Sequence, residues 1–344
     1  MKIVKILLLV LLFANLSCMV SVKNIMKKMN HPTAFSPDEK ILAAVHGKNI
    51  FIYRTSDGSF IKVLKHHQDI IQHIAFLPQG HLLISSGWDG SLVFWDMNTF
   101  RPVQEFKAIG KGNIAFSADG SFISLGKYKT PLSGDTSYPT RILSLYPPFN
   151  VKQLPSGADY QQVIFSPFDN YFLSVENNGV IKKYLLPDIQ HAKSYRFPAA
   201  MHYHVKFINA RQILLQSILS IGIEGIRSKA FIFDLQEKKI ISQLLPEQLN
   251  LPDNNFFILH HVLPLERGLF NAKNALILYS FSEKRVIFTK HFSDSIVYTD
   301  ISRSGKYVSL STYSHLLGGQ STGRVFLYHM DGMRKIKELF SNHE

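Results

Sequence analysis

The chain has 344 residues, of which 46% are hydrophobic and 18% are charged. This balance excludes a disordered chain and allows a large buried core. The net charge of +13 is compatible with nucleic acid, anionic lipid or an acidic protein as a neighbour. The basic residues form no continuous block and are not interleaved with stacking aromatics, so nucleic-acid binding is not expected.

The N-terminus carries a targeting pattern. Lys2 and Lys5 precede an apolar run over residues 6–16 that is interrupted only by Asn15. The run is shorter than the roughly 20 apolar residues that a membrane-spanning helix needs. A short basic region followed by such a run is typical of a signal peptide. We expect residues 1–18 to be a signal peptide of an exported protein.

Cys18 is the only cysteine of the chain and follows the apolar run and the small residue Ser17. This arrangement resembles the lipobox of bacterial lipoproteins, in which the cysteine is acylated and becomes the mature N-terminus. The resemblance implies lipidation of Cys18 and a membrane anchor in the bacterial cell envelope. Met19, in place of Asp, implies the outer membrane. The alternative is an ordinary signal peptide cut nearby, which would give a periplasmic or secreted protein.

Short β-rich runs separated by turns follow, and they are most regular in residues 67–96. An alternating run over residues 70–76 leads through a Pro-Gln-Gly turn to a second run over 82–86. A tight turn at Trp88-Asp89-Gly90 connects this to a third run over 91–95. Runs of this kind with such turns are typical of antiparallel hairpins.

The plan repeats along the chain, because the third run of each unit ends in an aromatic residue. From Tyr53 to Tyr328 these aromatics recur at intervals averaging about 46 residues, close to the length of a propeller blade. They are Tyr53, Trp95, Tyr146, Tyr184, Phe233, Tyr279 and Tyr328. One small sheet cannot bury both of its faces, so the units must stack into a closed ring.

The sequence therefore predicts an all-β fold, a seven-bladed β-propeller of four-stranded antiparallel blades. We expect the propeller to cover residues 31–340, between a linker over 19–30 and a tail over 341–344. Residues 335–340 are expected to supply the last strand of the last blade. The alternative is that residues 22–26 pair there instead.

At Trp95-Asp96 the chain resembles the WD-repeat β-propeller family. In that family one blade carries a buried hydrogen-bond relay of Trp, Ser or Thr, His and Asp. The resemblance implies a relay with a structural role here, formed by His67, Ser85, Asp89 and Trp95. Its Ser-His-Asp composition is not read as a catalytic triad.

The family resemblance also implies exposed partner-binding positions on the narrow face of the propeller. In the second blade these are Ile70, Gln72 and Trp88. The equivalent positions in other blades are His31, His46, Gln161, Met201 and Tyr203. Long loops are expected on the same rim, over residues 127–140, 219–228 and 314–323.

Two functions from different classes remain. The first is a non-catalytic protein-protein interaction scaffold, monomeric and without a cofactor, binding a protein partner on the narrow face. The alternative is a propeller enzyme, a metal-dependent hydrolase or oxidoreductase with its site at the central channel. His202 and His204 would face the same way on a strand, but no third ligand stands at a matching position. The chain has no phosphate-binding loop, no Gly-rich dinucleotide turn and no nucleophile elbow, and no metal site is predicted.

Overall fold

The computed structural model describes residues 31–107, 114–125, 140–145, 151–154, 160–176, 178–198, 200, 202–222, 225–251, 258–263, 267–272, 274–315 and 321–340. Its strands form seven separate four-stranded antiparallel sheets, each made from four consecutive strands. The predicted seven-bladed all-β propeller is confirmed. Residues 1–30, with Cys18, and the tail 341–344 lie outside the described residues.

The strand bounds of the first four blades are as follows. Blade 1 consists of β1 (Thr33–Phe35), β2 (Ile41–His46), β3 (Asn49–Arg54) and β4 (Phe60–Lys65). Blade 2 consists of β5 (Ile71–Phe76), β6 (Leu82–Gly87), β7 (Leu92–Asp96) and β8 (Arg101–Phe106). Blade 3 consists of β9 (Ile114–Phe116), β10 (Phe122–Leu125), β11 (Arg141–Ser144) and β12 (Val151–Gln153). Blade 4 consists of β13 (Tyr160–Phe165), β14 (Tyr171–Glu176), β15 (Val180–Leu185) and β16 (Gln190–Arg196).

The remaining three blades complete the ring. Blade 5 consists of β17 (His202–Phe207), β18 (Gln212–Gly222), β19 (Gly225–Asp234) and β20 (Lys239–Leu244). Blade 6 consists of β21 (Ile258–Leu263), β22 (Arg267–Ala272), β23 (Ala275–Ser280) and β24 (Arg285–His291). Blade 7 consists of β25 (Ser295–Ile301), β26 (Tyr307–His315), β27 (Ser321–His329) and β28 (Arg334–Leu339).

Helical structure is minimal in the described part of the chain. It comprises two 3₁₀ turns, Pro246–Leu249 and Asp331–Met333. None of the helices among the described residues is long and apolar enough to cross a membrane.

The core is divided among the interfaces between blades. Each of seven apolar clusters joins residues of two neighbouring blades, and one of them joins blade 7 to blade 1. Strand β2 shows why: Leu42 and Ala44 pack towards blade 7, whereas Ala43 and Val45 pack towards blade 2. Alternate side chains of a strand face opposite sides of its sheet, so an inner strand that is buried on both faces reads as a continuous apolar run.

Strand β28 pairs with β27, so the last blade takes its fourth strand from the C-terminal segment. Side chains close the ring between blade 7 and blade 1. The hydroxyls of Thr33 and Ser309 lie 2.6 Å apart, and the Ser311 hydroxyl donates to the carbonyl of His31 at 2.6 Å. No strand is shared between these two sheets.

Two of the expected long loops differ in the structure. Strands β18 and β19 continue through residues 219–222 and 225–228 as a hairpin that ends at the Gly222–Gly225 pair. The alternating apolar residues of this segment favour strand over loop. Strands β26 and β27 likewise extend to the His315–Ser321 pair. Of the third loop, only Thr140 lies within the described residues.

Candidate functional site

The four residues of the expected relay come from four places in blade 2 and meet inside it. His67 precedes β5, Ser85 lies in β6, Asp89 lies in the turn after β6, and Trp95 lies in β7. His67 Nδ1 lies 2.9 Å from Asp89 Oδ2, and His67 Nε2 lies 2.7 Å from Ser85 Oγ. The indole N–H of Trp95 donates to Ser85 Oγ at 2.8 Å. The chain of contacts is complete from the turn to the third strand.

The protonation of the relay follows from its surroundings. Burial would raise the pKa of Asp89, but hydrogen bonds from Ser91 and from the Gln68 N–H outweigh it and hold the pKa below its usual value. Burial lowers the pKa of His67, although Asp89 opposes this shift. A neutral His67 therefore donates from Nδ1 to the ionised Asp89 and accepts at Nε2 from the Ser85 hydroxyl.

Two further residues complete the relay, and sequence reasoning missed both. The Ser91 hydroxyl donates to Asp89 Oδ1 at 2.6 Å. Gly87 leaves the space that the relay occupies, because a Cβ there would lie 2.8 Å from both Asp89 Oδ1 and His67 Nδ1. The sequence signal that could have identified them is a serine two positions after Asp89 and a glycine two positions before it.

The relay fixes the turn that carries Trp88. Asp89 accepts from the backbone N–H of Gln68 at 2.8 Å and from that of Ser91 at 3.0 Å. The N–H of Trp88 itself donates to the carbonyl of Ile70 at 2.8 Å. The backbone on both sides of Trp88 is thus tied to the entry of β5, while the Trp88 side chain is partly exposed.

We define the Trp88 rim as the end of the propeller that carries the turns between second and third strands. Each blade is an antiparallel meander, so its first-to-second and third-to-fourth turns lie at the opposite end. The connections between successive blades lie on the Trp88 rim, because they join a fourth strand to a first strand.

Most of the other expected contact positions are buried, which corrects the expectation that they are exposed. The exposed fractions are 5% for Ile70, 6% for Gln72, 1% for His31 and 2% for Tyr203. Tyr203 packs into the core between blades 4 and 5. His31 Nδ1 lies 3.1 Å from the carbonyl of Val45, and its ring stacks on His46 with ring centres 5.2 Å apart.

The register of β5 supplies the physical reason for Gln72. Ile71 pairs with Gly87 and His73 with Ser86, so Gln72 is the extra residue of a β-bulge. A bulge shifts the alternation of inward and outward side chains by one position. His46 remains partly exposed. The side chain of Gln161 and the whole of Met201 lie outside the described residues.

The relay is not reproduced in blade 4. Ser174 takes the place of Ser85 as the fourth residue of its second strand, and Tyr184 takes the place of Trp95. The buried hydroxyl of Ser174 has no hydrogen-bond partner in the described structure. Asn178, at the position of Asp89, accepts from the backbone N–H of Val180 at 3.0 Å, as Asp89 does from that of Ser91.

Possible metal ligands were also considered. Among the described residues, no three His, Cys, Asp or Glu side chains are grouped so that they could hold a metal ion. His204 lies on β17 and is partly exposed, while the side chain of His202 lies outside the described part.

Comparison with known proteins fits the geometry of blade 2. Residues 58–96 match the family described as WD domain, G-beta repeat. The Intraflagellar transport protein 122 homolog of Xenopus tropicalis is 36% identical over 62 residues, 18% of this chain and 5% of that protein. The THO complex subunit 6 homolog of Danio rerio is 31% identical over 87 residues, 25% of this chain and 27% of that protein. The chain thus matches only a small part of these relatives.

Solved structures resemble the whole ring. Hydrazine synthase of Kuenenia stuttgartiensis has a TM-score of 0.66 at 11% identity, covering 85% of this chain and 94% of that chain. The β-propeller domain of Cps50 (Swd1) from Myceliophteria thermophila has a TM-score of 0.61 at 11% identity, covering 88% and 97%. At this identity the likeness shows the fold alone. The chain is a seven-bladed β-propeller, and its residues 58–96, which run from β4 to β7, match a WD repeat.

Proposed function

We propose that this protein is a non-catalytic interaction scaffold and that a protein partner docks on the Trp88 rim. The observation that carries the proposal is the partly exposed Trp88 at the tip of a turn that the buried relay holds in place. Tryptophan is among the residue types most enriched at interface hot spots. A side chain on a fixed backbone also loses less conformational freedom on binding.

The names of similar proteins support a scaffold. One relative is by name a subunit of the THO complex, and another is an intraflagellar transport protein. WD-repeat propellers generally bind protein partners, and the matched segment 58–96 contains both the relay turn and Trp88.

We further propose that the scaffold works in the bacterial cell envelope, attached to a membrane through acylated Cys18. The support is the order of Lys2 and Lys5, the apolar run over 6–16 and the single cysteine. The intact mass of the mature protein tests this, with a start at Cys18 and added acyl chains as the expected result. A start downstream of Cys18 would leave export but reject the anchor, and an unprocessed chain would reject both.

The binding face is tested by Trp88→Ala, with Phe168→Ala as the matched control. Phe168 is an aromatic with 52% exposure on the turn between β13 and β14, at the opposite rim. Proteins captured by the tagged wild type from its native source are identified by mass spectrometry, and their direct affinity is measured with purified components. We expect Trp88→Ala to weaken the partner's Kd by about 30-fold, the effect of losing roughly 2 kcal/mol, and Phe168→Ala to leave it unchanged.

Both variants should keep the wild-type melting temperature, since neither side chain belongs to an interblade core cluster. Equal affinity of wild type and Trp88→Ala for every captured partner would reject the Trp88 rim as the binding face. Loss of folding in Trp88→Ala with partner affinity intact would make Trp88 a packing residue.

A further inference from the structure

The fourth strands of the blades carry most of the net positive charge of the protein. The first strands of neighbouring blades touch one another around the channel, so the fourth strands form the outer wall of the ring. Together these seven fourth strands contain twelve Lys or Arg residues and two Asp or Glu residues. The difference of ten positive charges compares with a net charge of +13 for the whole chain.

This charge is concentrated on two adjacent blades. Strand β28 of blade 7 and strand β4 of blade 1 hold five of the twelve basic residues, and we call their outer surface the basic wall. The two strands are close together, because a Cβ on Gly58, in the turn before β4, would collide with the Lys337 side chain. Among the described residues only Lys335 of the five has an ion-pair partner, Glu338 at 3.2 Å. The residues of the basic wall are Lys62, Lys65, Arg334, Lys335 and Lys337.

An exposed phenylalanine lies on the basic wall. Phe60, the first residue of β4, is 42% exposed. Its ring centre lies 5.9 Å from that of Tyr53 and 6.3 Å from that of Phe51, and both of these rings belong to the apolar cluster between blades 7 and 1. Buried rings thus hold Phe60 in place. It stands between Lys62, two residues further along β4, and Gly58, which approaches Lys337.

Protection of the sheet edges accounts for only part of this pattern. Charged side chains on edge strands prevent sheets of different molecules from pairing. One lysine per edge serves that purpose, as on β12 and β20, which carry Lys152 and Lys239. Edge protection explains neither five cations on two adjacent blades nor a phenylalanine left exposed among them. Cations around an apolar side chain suit a surface with anionic groups over an apolar layer, which describes a membrane of anionic lipids.

The path of the chain brings the basic wall close to the proposed lipid anchor. Residues 19–30 separate Cys18 from His31, and a fully extended chain of this length spans at most about 45 Å. His31 lies at the interface of blades 7 and 1, where its ring packs against that of Phe340, the residue directly after β28. The chain therefore enters the ring between the two blades that form the basic wall. This placement depends on the proposed acylation of Cys18, whereas the charge and the exposed ring do not.

We propose that the basic wall of blades 7 and 1 binds the surface of a membrane that contains anionic lipids. The four cations without an ion-pair partner contact the phosphate headgroups, and Phe60 enters the interfacial layer between them. The wall is the side of the ring and the Trp88 rim is one of its ends, so a protein partner and the membrane occupy different surfaces.

Vesicle binding of the full-length protein with Cys18→Ser, which lacks the proposed acylation site, is measured by co-sedimentation. The vesicles consist of phosphatidylcholine alone or with about one third phosphatidylglycerol. This parent protein should bind the anionic vesicles at least about 30-fold more tightly than the neutral ones. The triple variant Lys62→Gln, Lys65→Gln, Lys337→Gln should lower that ratio about tenfold or more, because each lysine at an anionic surface contributes up to about fivefold.

The matched control removes three exposed lysines of blades 5 and 6, in the variant Lys229→Gln, Lys238→Gln, Lys290→Gln. It has the same net charge as the first triple variant and should keep the ratio of the parent protein. All variants share residues 1–30, so the lysines and the apolar run of that segment contribute equally to each.

Phe60→Ala tests the proposal independently of charge and should weaken binding to anionic vesicles severalfold. Phe168→Ala, at an exposed aromatic of blade 4, should leave it unchanged. Three results would overturn the proposal: equal affinity of the parent protein for both vesicles, equal loss in the two triple variants, or displacement from the vesicles by polyglutamate at matched charge, which would indicate an acidic protein instead. Trp88→Ala should bind vesicles like the parent protein, so failure of this proposal and failure of the partner face are distinguishable.

Discussion

Asp89 holds the turn of blade 2 by accepting hydrogen bonds from several directions at once. Its carboxylate receives His67, the backbone N–H of Gln68, and both the N–H and the hydroxyl of Ser91. The side chain of His67 is 0% exposed and that of Asp89 is 12% exposed. Removing one partner from a buried network leaves the others unsatisfied, which costs more than the bond itself contributes.

Asp89→Ala should therefore destabilise the protein by about 1–3 kcal/mol. The melting temperature, followed by circular dichroism, measures this directly. Asp57→Ala is the matched control, since Asp57 also accepts from a turn N–H, that of Ser59 at 2.9 Å, but is exposed. Its melting temperature should equal that of the wild type. If the two variants melt alike, the relay does not stabilise blade 2.

At this scale the sequence predicted the relay but not its surroundings. Trp95, Ser85, His67 and Asp89 could be named because their residue types and spacing resemble a family pattern. The burial of Gln72 could not be predicted, because this bulge residue of β5 departs from the regular alternation of side chains along the strand. Gly87 is required by a close approach between side chains that are distant in sequence, which spacing alone does not reveal.

The third strand of each blade shows what an element contributes to the repeat. In six of the seven blades its second-to-last residue is a buried aromatic. A β-bulge in the pairing with the fourth strand falls at the same position. These residues are Tyr53, Trp95, Tyr184, Phe233, Tyr279 and Tyr328. A large ring fills the wide space between outer parts of neighbouring sheets, and the bulge increases the local twist that sheet stacking needs.

This regularity explains why the number of blades was predictable from one sequence. The aromatics mark equivalent positions, and their intervals stay between 38 and 51 residues although other family residues are missing. Tyr146, the seventh marker, lies outside the described residues. The extended hairpin of β18 and β19 was not predicted, because the glycines at 222 and 225 resemble a loop while the alternating residues around them continue the strands.

The ring closes at the interface between its first and last blades. Asp300 of blade 7 receives the N–H of Phe35 of blade 1, and nearby the Ser304 hydroxyl donates to Glu39 Oε2 at 2.7 Å. Burial raises the pKa of the Asp300 carboxyl from 3.8 to about 7. Its charged form is thus disfavoured in the folded protein, with Lys206 as the cation that partly offsets this cost.

Stability should depend on pH through this residue. The pKa of Asp300 is higher in the folded than in the unfolded protein. Its contribution to the free energy of unfolding is therefore full below about pH 4 and is lost as pH rises through 7. Asp300→Asn carries no such loss, because it has no titratable group at this position. The melting temperature of the variant minus that of the wild type should therefore increase by at least about 2 °C from pH 5 to pH 8. Asp331→Asn, at an exposed position, should give a constant difference. A constant difference for Asp300→Asn as well would contradict the raised pKa.

Each sheet of this propeller draws all four strands from one continuous stretch of chain, and no ladder of strand pairing joins blade 7 to blade 1 in the described part of the chain. Every ladder of backbone hydrogen bonds therefore joins strands that are close in sequence. The entropic cost of closing a long loop arises at one apolar interface, that between blades 7 and 1. His31 and Phe340, near the two ends of the propeller, lie with ring centres 5.9 Å apart. A circular permutation that starts the chain at any connection between blades would therefore leave every strand in its own sheet. Whole blades could likewise be gained or lost without leaving an incomplete sheet.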